Sequence, residues 1–220
     1  MAVRKRYVLT GGGLILFLVS LVTAVRFAGG TIGALNSPNF KVKGAKDAPV
    51  HLVVYSDFQC PACQTAVQPV EELRNEFSEA MEIEFRHFPL ERSHRWAMIA
   101  ARFAECAAAQ GKFWEFHDRL FLEQTTWAQS ENAISIFAGY VQELQLDRKK
   151  ITECLESSKT IARVRREHSI GSKQGVQSTP TIFINSHMLV GSLQLKTNGR
   201  NIVLEELKRL GASEQVHGST

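Results

Sequence analysis

The stretch Val50-His51-Leu52-Val53-Val54-Tyr55-Ser56-Asp57-Phe58-Gln59-Cys60-Pro61-Ala62-Cys63 decides the fold. Its first six residues form a β-branched, apolar run just after Pro49, the pattern of a buried strand. The run stops at Ser56-Asp57-Phe58. From Pro61 the residues take helical character to about Glu79, with Val67, Val70, Leu73 and Phe77 on one stripe and Pro69 predicting a kink. Two cysteines therefore stand where a strand gives way to a helix. Cys60 falls at the helix start, where unpaired amides and the positive end of the helix dipole favour a thiolate over a thiol. The thiolate is the nucleophile, so Cys60 is the expected attacking sulfur. Cys63, one turn further in, is the buried partner that resolves a mixed disulfide. Pro61 suits the first helical position because it has no amide hydrogen to leave unpaired. A short structural disulfide is the alternative. Zinc would need a second ligand pair, which is missing, and covalent haem would need His at position 64, which is Gln. No metal and no bound cofactor are expected.

Working outward, Phe40 to Lys43 reads as an edge strand, and Met81 to Phe88 alternates Ile83, Phe85 and His87 against Glu82, Glu84 and Arg86. From about Arg92 to Gln174 apolar residues such as Trp96, Phe103, Phe116, Leu120, Phe137, Ile151 and Val164 recur at helical spacing, with breaks near Gly111, Thr125, Asp147 and Ser158. Strand signals return at Pro180 to Ile184 and His187 to Val190, around a turn at Asn185-Ser186, and a last helix is expected from about Asn201 to Leu210. Thr179-Pro180 stands immediately before a strand, awkward for a proline unless the bond is cis in a turn; an ordinary proline leading into a strand is the alternative. These signals divide the exported part into a sheet-bearing domain, 40–91 with 175–211, and an inserted helical domain, 92–174. Residues 212–220 form a polar tail expected to be disordered.

The segment Tyr7 to Val25 carries no charge, follows Arg4-Lys5-Arg6 and precedes Arg26. It is just long enough to span a bilayer, so residues 1–28 read as a cytoplasmic basic end and a single transmembrane anchor, with 29–39 as a tether. A cleavable signal peptide is the competing reading. Either way the catalytic domain is expected on the extracytoplasmic side, periplasmic or extracellular. The net charge of +4 owes three charges to the basic cluster. The remaining body is nearly neutral and lacks an aromatic-basic stripe, which argues against nucleic acid as a partner.

Four blocks carry a family resemblance: Ser56-Asp57-Phe58-Gln59-Cys60-Pro61-Ala62-Cys63, Phe85-Arg86-His87-Phe88-Pro89-Leu90, Ala104-Glu105-Cys106-Ala107 with Gln110 through Asp118, and Gly175-Val176-Gln177-Ser178-Thr179-Pro180-Thr181. In that order the sequence resembles the DsbA family of thioredoxin-like thiol-disulfide oxidoreductases. The resemblance implies an α/β thioredoxin fold with an inserted helical domain, a catalytic disulfide at Cys60 and Cys63, and a cis-proline at Pro180. Beside Pro180, Thr179 would offer backbone to an incoming extended peptide. It further implies disulfide formation or exchange in exported proteins. An oxidase would need a membrane redox partner of the DsbB or vitamin K epoxide reductase type. Many family oxidants carry His where this chain has Ala62. That departure leaves room for a disulfide isomerase or reductase kept reduced by a membrane donor. A reading from another class is a non-catalytic, peptide-binding chaperone or assembly factor.

Cys106 shares a helical face with Ile99 and Phe103, and Cys154 falls between Ile151 and Leu155 on another expected helix. Both point inward, and a disulfide between them would close a loop of about 48 residues, worth roughly 4 kcal/mol in the chain-entropy picture. Two unpaired buried thiols, or a relay to Cys60, are the alternatives. An even number of cysteines fits an oxidising compartment. Asp57, Glu84 and His87 are candidates to assist proton transfer near Cys63. His94 and His117 form no helical metal pair, and Phe113, Trp114 and Phe116 read as helix packing.

Overall fold

The computed structural model describes residues 41–212. The apolar segment read as a membrane anchor, the tether and nearly all of the polar tail lie outside these residues. Among the described residues no helix is long and apolar enough to cross a membrane.

The β-branched run after Pro49 forms β2 (Val50–Ser56), and the alternating segment forms β3 (Met81–His87), paired parallel to it from Val50 opposite Met81 to Ser56 opposite His87. A parallel pair needs a crossover, and α1 (Pro61–Glu76) supplies it, running unbroken with Pro69 inside. The edge strand β1 (Val42–Gly44) lies antiparallel to β3. On the other side β4 (Thr181–Ile184) pairs antiparallel with β2, and β5 (His187–Val190) with β4. The five-stranded mixed sheet has the order β1-β3-β2-β4-β5.

Between β3 and β4 lie α2 (Ala97–Ala108), α3 (Phe113–Leu122), α4 (Gln124–Ala128), α5 (Ala133–Glu143), α6 (Arg148–Glu156) and α7 (Ser158–Lys173). The last helix, α8 (Gly191–Arg209), begins well before the expected Asn201. Gly199, a weak helix former, sits mid-helix where α8 packs closely on α1. A Cβ there would stand 3.0 Å from the Leu73 and Leu195 side chains.

One face of the sheet is covered by α1 and α8, whose Val70, Leu73, Phe77, Leu195, Val203 and Leu207 meet Leu52, Val54, Ile83 and Ile182. The opposite face, bearing Tyr55 and Phe183, is covered by α7 rather than by solvent. Gly171 permits this approach: a Cβ at that position would meet the Tyr55 ring at 2.7 Å. The helix therefore belongs to the sheet's packing as much as to the inserted module. The remaining helices bury Phe103, Phe116, Leu120, Trp127 and Phe137 in a second core, which reaches Phe58, Phe85, Cys60 and Cys63 at the end of the sheet.

Two features tie the layers together. Glu105 on α2 is buried and pairs with Lys41, with Arg163 on α7 at 3.1 Å and with His87 Nε2 at 3.0 Å, while Glu167 on α7 pairs with Lys41 and accepts the His87 amide at 2.7 Å. This charge set holds Glu105 far below the usual carboxylate range: burial opposes that shift, and His87 and Lys41 outweigh it. Cys106 on α2 is bonded to Cys154 on α6, with Cα atoms 5.7 Å apart. Replacing both with Ala is expected to lower the unfolding free energy by about 2–4 kcal/mol, since the chain regains a long open loop on unfolding. Denaturant titration of the double variant against the parent checks this.

Candidate active site

The end of β2 and the start of α1 place the two cysteines. Cys60 is the N-cap residue in extended conformation, and Pro61 opens the helix with no amide to leave unpaired. The Cys63 amide bonds the Cys60 carbonyl at 3.0 Å, closing the first turn. Both thiols are free and unequal: Cys60 is 8% exposed at the surface end of the turn, whereas Cys63 is 2% exposed.

Thr179-Pro180 is cis and brings the Thr179 carbonyl within 3.5 Å of Cys60 Sγ. The Thr179 hydroxyl is buried with no other partner among the described residues, and so is free to donate to a thiolate at Cys60. These surroundings depress the Cys60 thiol from 9.0 to about 5. The Cys63 thiol bonds to the sulfur and is the chief cause, partial burial works against it, and Thr179 with the amides of Cys63 and Ala62 adds the rest. Cys63 moves the opposite way, pushed well above 9.0 by burial and by the neighbouring Cys60 sulfur. One sulfur is thus a ready nucleophile and good leaving group, and the other a protected thiol. Ala62 is exposed and adds no side-chain donor.

The family model described as Thioredoxin matches residues 37–202. The chain belongs to the thioredoxin family. Among curated proteins it is 38% identical over 146 residues to Na(+)/H(+) antiporter NhaA 1 of Mycolicibacterium vanbaalenii, a match covering 66% of this chain and 23% of that protein. The chain thus spans under a quarter of the length of such relatives. Among solved structures, oxidised BdbD from Bacillus subtilis superposes with a TM-score of 0.68 at 21% identity, over 76% of this chain and 92% of that one. Wolbachia pipientis alpha-DsbA1 gives 0.66 at 21%, over 80% and 94%. These structures share the thioredoxin-like fold of this family member.

Around the cysteines the thioredoxin unit relies on side chains whose roles the sequence conceals. Asp57 is buried, and its carboxylate accepts the amides of Gln59 and Leu90, each at 2.8 Å, and faces His94 Nδ1 at 2.7 Å. Its lone pairs are spent on shaping the loop, while its own amide donates to Cys63 Sγ at 3.4 Å. Glu84 pairs with Arg86, and His87 with Glu105. None of the three candidate proton carriers offers a side chain to the cavity beside Cys63, which is lined instead by Ser56, Glu71, Trp114 and His117. Gln124, buried on α4, donates to the carbonyls of Phe58 and Cys60 at 2.7 and 3.0 Å, and Gln59 bonds Trp96 and Ala128. The helical module therefore grips the loop that carries Cys60. Its polar contacts are lone residues with no motif, so a single sequence does not single them out. His87, Glu105 and Glu167 lie close enough to hold a cation, but Lys41 already pairs with both carboxylates.

The depressed Cys60 value sets a pH dependence. Alkylation of the reduced protein by iodoacetamide is expected to half-titrate near pH 5 at Cys60, with Cys63 silent through neutrality. Because the folded value lies below that of a free thiol, this group stabilises the reduced fold fully above pH 9.0 and progressively less as pH falls through about 5. Peptide mapping of the alkylated sites across pH, with unfolding midpoints beside it, checks both.

Proposed function

We propose that the chain is a thiol-disulfide oxidoreductase that oxidises dithiols in exported proteins, with Cys60 as the reacting sulfur and Cys63 as its resolving partner. The single observation that carries this reading is the placement of the two thiols, Cys60 at the helix start with its Sγ 3.5 Å from the Thr179 carbonyl and Cys63 buried behind it, an arrangement that draws Cys60 down to about 5 and pushes Cys63 well above 9.0. A substrate thiolate attacks Cys60 in the disulfide form, and Cys63 leaves. A second substrate thiolate then displaces Cys60, a good leaving group because its thiolate is stabilised. The Ala62 departure that leaves room for a reductase is outweighed here, since Cys63, Thr179 and backbone amides hold the thiolate without a histidine.

Substrate access is supported by the surface beside the sulfur. Val190 and Leu193 are exposed apolar residues at the start of α8, where the Gly191 amide bonds the Pro180 carbonyl at 2.8 Å and Ser192 meets Thr65 of α1 at 3.0 Å. An extended, partly unfolded client could lie along Thr179 and Pro180 with its apolar side chains on this rim.

In this proposal the unit works outside the cytoplasm, held at the membrane by the uncharged segment Tyr7 to Val25 behind Arg4-Lys5-Arg6. Each turnover leaves a dithiol, so a membrane partner that passes electrons to quinone, of the DsbB or vitamin K epoxide reductase type, completes the cycle.

Cys63→Ser is expected to accumulate mixed disulfides with disulfide-bonded client peptides, visible on non-reducing gels, because the Cys60 thiolate attacks the client disulfide and the sulfur that would displace the client is gone. Cys60→Ser is expected to drop dithiol oxidation to the rate of buffer alone. A parent that oxidises dithiols no faster than buffer, while it and Cys60→Ser bind client peptide equally, would point to a peptide-binding chaperone and end the enzymatic reading.

A further inference from the structure

Helix α3 supplies a buried histidine that the exchange steps above leave unused. His117 is 6% exposed and packed among the rings of Phe58, Phe85, Phe113, Trp114 and Phe121. Its Nδ1 lies 2.7 Å from Asp118 Oδ1. A carboxylate only accepts, so Nδ1 carries the hydrogen and Nε2 of the neutral ring carries a lone pair. The imidazole also lines, with Cys63, Ser56, Glu71 and Trp114, a cavity of about 20 Å³, room for about one water. Trp114 Nε1 is buried with no partner among the described residues, a donor that such a water would satisfy. At the other end, the Asp118 side chain is 64% exposed.

We propose that His117 accepts the Cys63 proton through a water held in this cavity and releases it to solvent beside Asp118. The proposal rests on the redox reading of Cys60 and Cys63. A thiol as buried as Cys63 yields little thiolate unaided, yet it must attack the mixed disulfide at Cys60 each time the Cys60–Cys63 bond is re-formed, as in reoxidation of the dithiol. In that step the Cys63 thiol gives its proton to the water, and the water passes one to His117 Nε2. The Cys63 thiolate attacks Cys60 Sγ, the Cys60–Cys63 bond forms, and the bond from Cys60 to the partner sulfur breaks, its electron pair departing on the partner thiolate. The two cysteines lose two electrons and the partner disulfide gains them. The imidazolium is held by the Asp118 carboxylate until its proton leaves.

Other charges also reach the ring. Burial lowers its pKa below 6.5 and Lys43 from β1 acts the same way, while Asp118 and Glu71 from α1 oppose them, so the imidazole is neutral and ready to accept at pH 7. His87 of β3 faces it across the Phe58 and Phe85 rings.

Oxidised glutathione is a suitable probe. Reduced protein mixed with it and quenched in acid is resolved by mass spectrometry into dithiol, Cys60-glutathione adduct and internal disulfide, so adduct formation and resolution are read separately from pH 5 to about 9. The parent's resolution rate is expected to fall as pH drops below 6.5. His117→Gln should slow resolution by roughly tenfold or more at neutral pH, lose that bend, and rise steadily with pH instead. Asp118→Asn, at the surface, should slow resolution to a smaller degree. Adduct formation should stay at the parental rate in both. A parental pH profile in His117→Gln, whether at full or uniformly reduced rate, or a parental rate in Asp118→Asn, would overturn the relay. If His117→Gln does not fold, Asp118→Asn decides by the same criterion. Absence of both adduct and internal disulfide in the parent would sink the redox reading itself, and the relay with it.

Discussion

A sulfur that carries charge away from bulk water must find its compensation in the protein. Cys60 finds it at the N-terminus of α1, where the Cys63 thiol, the Thr179 hydroxyl and two first-turn amides converge. That convergence is a matter of ångströms, and the fold enforces it from three directions. The parallel pairing of β2 with β3 fixes where the strand ends. The antiparallel pairing of β4 with β2, Tyr55 opposite Thr181, carries Thr179 and Pro180 alongside. From the helical module, Gln124 holds the carbonyls of Phe58 and Cys60.

The two cysteines differ because they belong to different surroundings, and the proposed division of work between them follows from that. Cys60 stands at the rim, while Cys63 sits where the core of the sheet and the core of the helical module meet, next to Phe58 and Phe85. Burial that would be a penalty for a nucleophile protects a resolving thiol from stray reaction. It also creates a need for a route by which its proton can leave. The module inserted between β3 and β4 therefore does more than enlarge the domain: it supplies the clamp on one cysteine and closes the cavity beside the other.

Much of this was legible in the sequence, for reasons that are local. A β-branched run, a C-x-x-C at its end and a stripe of Val67, Val70, Leu73 and Phe77 report directly on strand, turn and helix. The order of these signals is that of the sheet and its crossover. The start of α8 was hidden because Gly199 acts there as a packing residue against Leu73, which composition alone reads as a break. The covering of the Tyr55 face by α7 was hidden likewise, since Gly171 reveals its purpose only once the helix is laid on the ring. At the site, Cys60, Cys63 and Pro180 were readable from spacing and from the residues around them. Asp57 was legible as important but not in role: its carboxylate organises the loop through Gln59, Leu90 and His94, contacts that span up to 37 positions of chain. Gln124 and His117 reach the site only through contacts that the fold brings together.

The account turns on a stabilised thiolate at Cys60 making the reduced form the favoured one, which is the property of an oxidant. The reduction potential of the Cys60–Cys63 couple, measured by equilibration with defined glutathione ratios, tests this most directly. A value more positive than about −200 mV is predicted, whereas a value near about −270 mV, typical of a reductant, would contradict it.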